Sequence, residues 1–152
     1  MKEITPADIA DALELLALQK LAYQSEAVLY NDWSIPPLTQ TLAEVKQEFT
    51  GKTFLKQCDD EGKITGSVRG AMLNCTCKIG RLIVHPDCQR QGIGARLMAA
   101  MEAEFPDANR FELFTGSKSE GNIRLYERLG YRIFRTEHLS PQVELVFMEK
   151  LR

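Results

Sequence analysis

Gln89-Arg90-Gln91-Gly92-Ile93-Gly94 is the stretch on which the reading of this chain turns. It follows an apolar run, Cys77 to Val84, that reads as a strand ending at His85-Pro86. It leads directly into a helix whose apolar residues Ile93, Leu97, Met101 and Phe105 recur at every fourth position until Pro106 stops it. A glycine inside a helix costs about 1 kcal/mol relative to alanine, so two in the first turn need a reason. The first N–H groups of a helix lack partners within it, and the dipole is positive there. Strand, tight loop and glycine-bearing helix start together make an anion site suited to phosphate or pyrophosphate, to which Arg90 and Arg96 can add charge.

Two familiar phosphate loops do not fit. A Walker loop needs a Gly-Lys-Ser/Thr that does not follow. A Rossmann fingerprint needs a third glycine where Leu97 stands, and it should follow the first strand rather than several. Two readings stay open: the pyrophosphate site of an acyl-CoA-dependent transferase, or a glycine pair set by packing alone.

Outward from the loop the punctuation is that of one mixed α/β domain over residues 1–152. Upstream, Thr53 to Cys58 and Ile64 to Leu73 alternate as hairpin strands joined by Asp59 to Gly62. Gly66 and Gly70 in the second strand predict a bulge or a close backbone approach. Met1 to Ile4 reads as a short first strand. Thr5, Pro6 and Asp8 read as a helix start, with Ile9, Leu13 and Leu16 on its apolar face. Thr41 to Glu44 has the form of a capping box, and Leu42, Val45 and Phe49 follow at helical spacing. Between these helices, Tyr23 to Pro37 reads as an irregular loop carrying Tyr23, Tyr30, Trp33, Glu26 and Asp32. Downstream come a strand at Arg110 to Thr115, a short helix at Asn122 to Leu129 closed by Gly130, and strands at Tyr131 to His138 and Val143 to Glu149. The predicted order is β-α-α-β-β-β-α-β-α-β-β, with parallel strands around the Gly92 crossover and antiparallel hairpins on either side.

Charge and cysteine usage narrow the function classes. With 19 Lys+Arg against 21 Asp+Glu the net charge is −2, which excludes a strongly basic nucleic-acid binder. No apolar run approaches the roughly 20 residues of a membrane helix, and the first residues lack a signal peptide's apolar stretch, so a cytoplasmic chain is expected. Cys58, Cys75, Cys77 and Cys88 are not spaced with His85 and His138 as metal ligands, so no metal is expected.

A second segment bears on the open choice. Asn122 and Tyr126 are four apart and share a helix face, beside an apolar stripe of Leu125 and Leu129. Tyr126 by itself would read as an amphipathic core residue. Taken together, the Gln89-x-x-Gly92-x-Gly94 loop after the strand ending at Leu82 to Pro86 resembles the acyl-CoA loop of the GNAT superfamily of N-acetyltransferases. Asn122-x-x-x-Tyr126-x-x-x-Gly130-Tyr131 resembles the family's second motif, one strand and one helix later. The resemblance follows the whole chain in element order and is most specific from Cys77 to Tyr131. It implies a central mixed, largely antiparallel sheet of about seven strands with about four flanking helices.

The same resemblance implies roles. Main-chain amides of Gln91, Gly92, Ile93, Gly94 and Ala95, in a loop that includes Gln89 and Arg90, would hold the pyrophosphate of acetyl-CoA. Leu82, Ile83 and Val84 would line the pantetheine and acetyl group, with backbone amides polarising the thioester carbonyl. Asn122 would contact the cofactor arm. Tyr126 would protonate the leaving thiolate, a task for a phenol whose ordinary pKa of about 10 keeps it protonated at neutral pH. Many relatives carry a carboxylate base on the strand before the loop, but Cys77 to Val84 offers only Lys78 and Arg81 as charged groups. Either bulk water removes the proton or the base comes from elsewhere, with Glu26, Glu120 and His138 as the candidates. Glu26 is favoured because its segment should flank the acceptor cleft, with Tyr30 and Trp33 as acceptor contacts. His85 reads as structural, and Cys88 beside the phosphate loop lies too far from the thioester for an acyl-cysteine scheme. The expected activity is acetyl transfer from acetyl-CoA to a primary amine by direct attack in a ternary complex. Its competitor is a non-catalytic CoA-binding or regulatory module. The expected partner is a small-molecule or peptide amine, with no nucleic acid and no membrane. Glu26 and Asp32 among aromatics suggest a cationic amine or polyamine. Exposed sheet ends in the family often support a homodimer.

Overall fold

Alternation and punctuation place the strands of this chain closely. In the computed structural model, which describes residues 2–152, they are β1 (Ile4–Pro6), β2 (Thr53–Cys58), β3 (Ile64–Leu73), β4 (Thr76–Val84), β5 (Arg110–Gly116), β6 (Arg132–His138) and β7 (Glu144–Leu151). The α-helices are α1 (Ala12–Ala22), α2 (Gln24–Tyr30), α3 (Pro36–Thr39), α4 (Leu42–Glu48), α5 (Ile93–Glu104) and α6 (Glu120–Arg128). The seven strands form one sheet in the order β1-β2-β3-β4-β5-β7-β6. Only the β4–β5 pair is parallel, so the sheet is mixed and largely antiparallel, as expected.

The β2–β3 hairpin closes as predicted. Asp59 accepts from the backbone N–H groups of Glu61 and Lys63, both at 2.9 Å, and Gly62 takes the left-handed φ of 85°. The α4 capping box is also present: Glu44 N–H reaches Thr41 Oγ1 at 3.2 Å and Thr41 N–H reaches Glu44 Oε1 at 2.8 Å.

Two expectations near the N-terminus are corrected. Met1 lies outside the described residues, and the first strand is Ile4–Pro6, which pairs with Leu55 to Gln57. Pro6 is tolerated there because β1 is an edge strand. Asp8, rather than Thr5, caps the helical segment by accepting from Ala10 N–H at 2.9 Å. Of the expected apolar face, Leu16 is buried, but Ile9 and Leu13 face solvent at 54% and 67% exposure, and Ala12, Leu15, Leu18 and Gln19 are buried in their place.

The segment from Tyr23 to Pro37 is largely helical, with residues 31–35 irregular between α2 and α3, so six α-helices flank the sheet among the described residues where about four were expected. Ala27 and Tyr30, three apart, supply the buried face of α2. Asn31, at φ 49°, ends it. Pro36 begins α3 at the first-turn position that proline favours, instead of stopping a loop.

The core lies on both sheet faces. Leu55, Val68, Ile79, Phe111 and Met148 pack with Leu97, Met98 and Met101 of α5 and Tyr126 of α6. Phe54, Ile64 and Ile83 pack on the opposite face with Leu15 and Leu16 of α1 and Val45 of α4. The glycines of β3 mark a close approach. A Cβ at Gly66 would stand 2.8 Å from Ile93, and one at Gly70 would stand 2.8 Å from Met101 Sδ, so α5 rests directly on the β3 backbone.

Candidate functional site

The sheet splits where β4 meets β5. The two strands pair only from Thr76↔Arg110 to Lys78↔Glu112. Beyond that point β5 stays with β7 as far as Gly116↔Leu145, while Ile79–Val84 diverges. At the closed end Lys78 meets Glu112 at 2.6 Å, and Arg110 joins Glu112 at 2.7 Å and Glu149 at 2.8 Å. Burial alone raises the Glu112 carboxyl, but hydrogen bonds from Lys78 and Arg110 outweigh it and hold its pKa below the ordinary value.

One extra residue in β4 accompanies the split. Ser67↔Ile83 and Arg69↔Gly80 enclose two steps along β3 but three along β4. The additional residue is Arg81, held at φ 50°. A bulge bends and twists a strand, and left-handed backbone at a non-glycine residue costs on the order of 1 kcal/mol. Ile79, Leu82 and Val84 pack towards α5, and Ile83 packs towards α1.

The open end is a cleft of about 770 Å³ between β4, β5, α2, α5 and α6. One wall is the loop and the start of α5. Gly92 takes φ 78° and Arg90 φ 65°. Arg96 N–H makes a helical bond back to Gly92 O at 3.1 Å, so the amides of Ile93, Gly94 and Ala95 precede it without helical partners. The left-handed turn explains Gly92. Packing does not explain Gly94: a Cβ there would meet Leu125 at 3.4 Å and Leu82 at 3.7 Å, ordinary contacts. Its bare backbone faces the cleft, which is what close approach of an anion requires.

Gln89, Arg90, Gly92, Ile93, Gly94 and Ala95 all line this wall, and Gln91 does not. Arg96, expected to add charge, instead braces the loop through the Gln91 carbonyl at 3.2 Å and the Gln57 side chain. Leu82, Ile83 and Val84 line the β4 side.

Asn122 and Tyr126 of α6 both reach the cleft, as their spacing predicted. Asn122 Nδ2 lies 3.5 Å from Thr115 Oγ1 on β5. Tyr126 is buried and sets its ring edge-on to Tyr131, centroids 6.1 Å apart. Burial lifts its pKa well above the usual phenol value, and Tyr23 and Glu26 nearby push in the same direction. Its hydroxyl is therefore a firmly protonated donor.

Glu26 and Tyr30 are brought to the cleft by α2. The Tyr30 hydroxyl accepts from Lys118 N–H at 2.8 Å and lies 3.4 Å from Ser119 Oγ, which in turn donates to Glu26. A Cβ at Gly116 would come within 1.9 Å of the Tyr30 hydroxyl, so only glycine lets α2 seat against the end of β5. Trp33, expected beside the acceptor, is 57% exposed and outside the cleft. Asp32, which the composition suggested for a cationic acceptor, is tied to Ser34 at 2.6 and 2.9 Å and does not line the cleft. Of the three candidate bases, Glu26 alone lines the cleft. Glu120 is exposed beside Arg124, and His138 is exposed beside Glu144. His85 is structural, as expected: its Nδ1 accepts from Asp87 N–H at 3.1 Å.

Tyr23 and Arg81 also line the cleft, and neither received a site role from the sequence. Tyr23 is half-buried at the α1–α2 junction, with its pKa raised by burial and opposed by Arg81. Arg81 is half-buried, and its Nε is buried without a hydrogen-bond partner. The only sequence signal for it is a charge next to Gly80 within an apolar strand.

The family model described as "Acetyltransferase (GNAT) family" matches residues 14–131. The fold is similar to that of the PaiA N-acetyltransferase from Thermoplasma acidophilum in complex with coenzyme A. The TM-score is 0.82 at 14% identity, over 100% of this chain and 99% of that one. It is also similar to the ribosomal-protein-S18-alanine N-acetyltransferase from Escherichia coli, at TM-score 0.78 and 17% identity over 99% and 94% of the two chains. A phosphinothricin acetyltransferase from Sinorhizobium meliloti in complex with AcCoA gives TM-score 0.78 at 15% identity over 99% and 88%. In sequence, the UPF0157 protein YqkA of Bacillus subtilis (strain 168) is 29% identical over 124 residues, 80% of this chain and 34% of that protein. The chain thus spans about a third of the length of the curated relative it matches.

Proposed function

The chain belongs to the GNAT acetyltransferase family, and from that premise we propose that it moves an acetyl group from acetyl-CoA to a primary amine by direct attack in a ternary complex. The observation that carries this reading is one cleft with two unlike ends. Bare amides at the start of α5 lie at one end, and the Tyr126 hydroxyl and the Glu26 carboxylate lie towards the other. Two of the structurally similar acetyltransferases are described as complexes with coenzyme A or AcCoA.

The residues fit such a co-substrate. The amides of Ile93, Gly94 and Ala95, with the helix dipole behind them, are placed to hold a pyrophosphate. Gly94 leaves room for it, and Arg90 lines the same wall. The edge of β4 at Leu82–Val84, released from β5, offers backbone groups to an extended pantetheine arm and a donor to the acyl carbonyl. Asn122 borders the same arm. Acetyl-CoA, when bound, supplies an activated thioester. Tyr126 donates a proton to the thiolate as it departs; burial keeps the phenol protonated at physiological pH, and the raised pKa makes it a weak acid whose proton moves only as the negative charge develops on sulfur. Glu26, steadied by Ser119, accepts the proton of the incoming ammonium directly or through water. Holding amine and thioester together supplies much of the acceleration.

The test is release of free thiol from acetyl-CoA across a panel of amines, with CoA binding measured in parallel by calorimetry. Thiol release with at least one amine is expected. Tyr126→Phe should lower turnover by about 100-fold while leaving CoA binding within a few-fold. Binding of CoA without thiol release on any amine would instead identify a non-catalytic CoA-binding module.

A further inference from the structure

Arg81 is a charged cleft residue whose chemistry the transfer reaction leaves unused. It is the inserted residue of β4, at φ 50°, a backbone state that L side chains rarely adopt. The bulge sets it beside the α1–α2 junction, close enough to Tyr23 for its charge to oppose the rise in that phenol's pKa. Its Nε is buried with no hydrogen-bond partner, and among the described residues it has no ion pair with a carboxylate. The contrast with neighbouring Arg69 is direct. Arg69 is fully buried, and its two terminal nitrogens are taken by Glu48 at 2.9 Å and Gln19 at 2.7 Å, while its guanidinium lies 4.5 Å above the Phe54 ring. Arg81 has only a phenol, and a second cation beside it.

A half-buried guanidinium without a counter-ion calls for one. The pyrophosphate is not the candidate. Arg81 precedes Val84 by three strand residues, roughly 10 Å at about 3.3 Å per residue, and the α5 amides lie beyond the loop that follows. Arg81 sits instead with Tyr23 and Glu26, at the acceptor end of the cleft. That end therefore presents one carboxylate, already placed to receive an ammonium proton, and one unpaired guanidinium. The pair is complementary to a zwitterion. Guanidinium presents a planar fork that matches a carboxylate through two parallel hydrogen bonds.

We propose that Arg81 binds a carboxylate of the acceptor, so that the acceptor is a small aminocarboxylate, such as a free amino acid, with its amine turned towards Glu26 and Tyr126. This rests on the acyl-transfer reading above and names the substrate class of the same site. It replaces the polyamine expected from the Tyr23–Pro37 composition, whose Asp32 and Trp33 stand outside the cleft.

The experiment compares matched acceptors on the intact protein with acetyl-CoA. Free amino acids are set against their carboxamides and against the same amines without a carboxylate, and thiol release is followed. The wild-type protein should favour the acids by at least tenfold in kcat/KM. Arg81→Gly suits the left-handed backbone and deletes the side chain with its guanidinium. It should bring that ratio close to one, chiefly through KM, with CoA binding unchanged by calorimetry. Arg81→Lys should retain part of the preference. Equal use of acids and carboxamides by the wild type, or a preference that survives in Arg81→Gly, would overturn this inference and leave acetyl transfer standing. Loss of CoA binding in Arg81→Gly would overturn it too, by assigning the cation to the cofactor. Absence of thiol release with every amine tried would remove the acyl-transfer reading, and this inference with it.

Discussion

Within nine residues, β4 passes from one kind of environment to its opposite. At Thr76–Lys78 it is paired with β5, and the charges around it are matched, Lys78 and Arg110 on Glu112 and Arg110 again on Glu149. From Ile79 to Val84 it has left β5, and it borders a buried nitrogen without a partner, helix amides without partners and a deeply buried phenol. The closed end contributes stability by satisfying its polar groups internally. The open end leaves polar groups without partners in the chain. The lesson is that a site can be found by asking which polar groups the fold declines to satisfy, and that the bulge at Arg81 marks the border between the two regimes.

Substitutions at the two ends should therefore separate stability from function. The largest effect is expected where the ends are joined through α2. Gly116→Ala drives a Cβ into the Tyr30 hydroxyl, so it should cost about 1–3 kcal/mol and also lower turnover by displacing Glu26. Urea denaturation and thiol release would show both losses together. Next, Glu112→Gln at the closed end should cost about 1–2 kcal/mol, with turnover per folded molecule close to wild type. The pH dependence carries the sign of that difference. The folded-state pKa of Glu112 lies below its unfolded value, so its contribution is present above the ordinary carboxylate pKa of about 4.3 and is lost as pH falls through the depressed value. In the variant, the fall of stability below about pH 4.5 should be shallower than in wild type. The smallest change in stability should be a gain. Gly94→Ala meets only ordinary contacts and improves helix propensity, so it should stabilise by up to about 1 kcal/mol. The same methyl group should weaken CoA binding about tenfold or more, read by calorimetry. A variant more stable and less able to bind would be hard to reconcile with a purely structural Gly94.

What could be read from the sequence follows from distance along the chain. The Gly92–Gly94 loop, the Asn122 and Tyr126 pair and the β2–β3 hairpin are local patterns, and the structure has each where spacing placed it. The α2 helix escaped because Tyr30 finds its partner Lys118 88 positions away, and because Tyr23, Glu26 and Asp32 disguise a short buried face. Asp8 displaced Thr5 as cap because β2 captures Ile4–Pro6 into the sheet, which no local signal announces. Arg96 looked like a phosphate ligand until Gln57, on a strand well before it, claimed its guanidinium. Arg81 was invisible as a site because a bulge is a property of two strands in register, and only the pairing with β3 reveals the extra residue.

Amide hydrogen exchange with and without CoA tests the division between the two ends most directly. Strong new protection is expected at Ile93, Gly94 and Ala95 and at the cleft-facing amides of Leu82–Val84, with Thr76–Lys78 unchanged. No new protection at the first turn of α5 on saturation with CoA, or protection confined to the closed end, would contradict it.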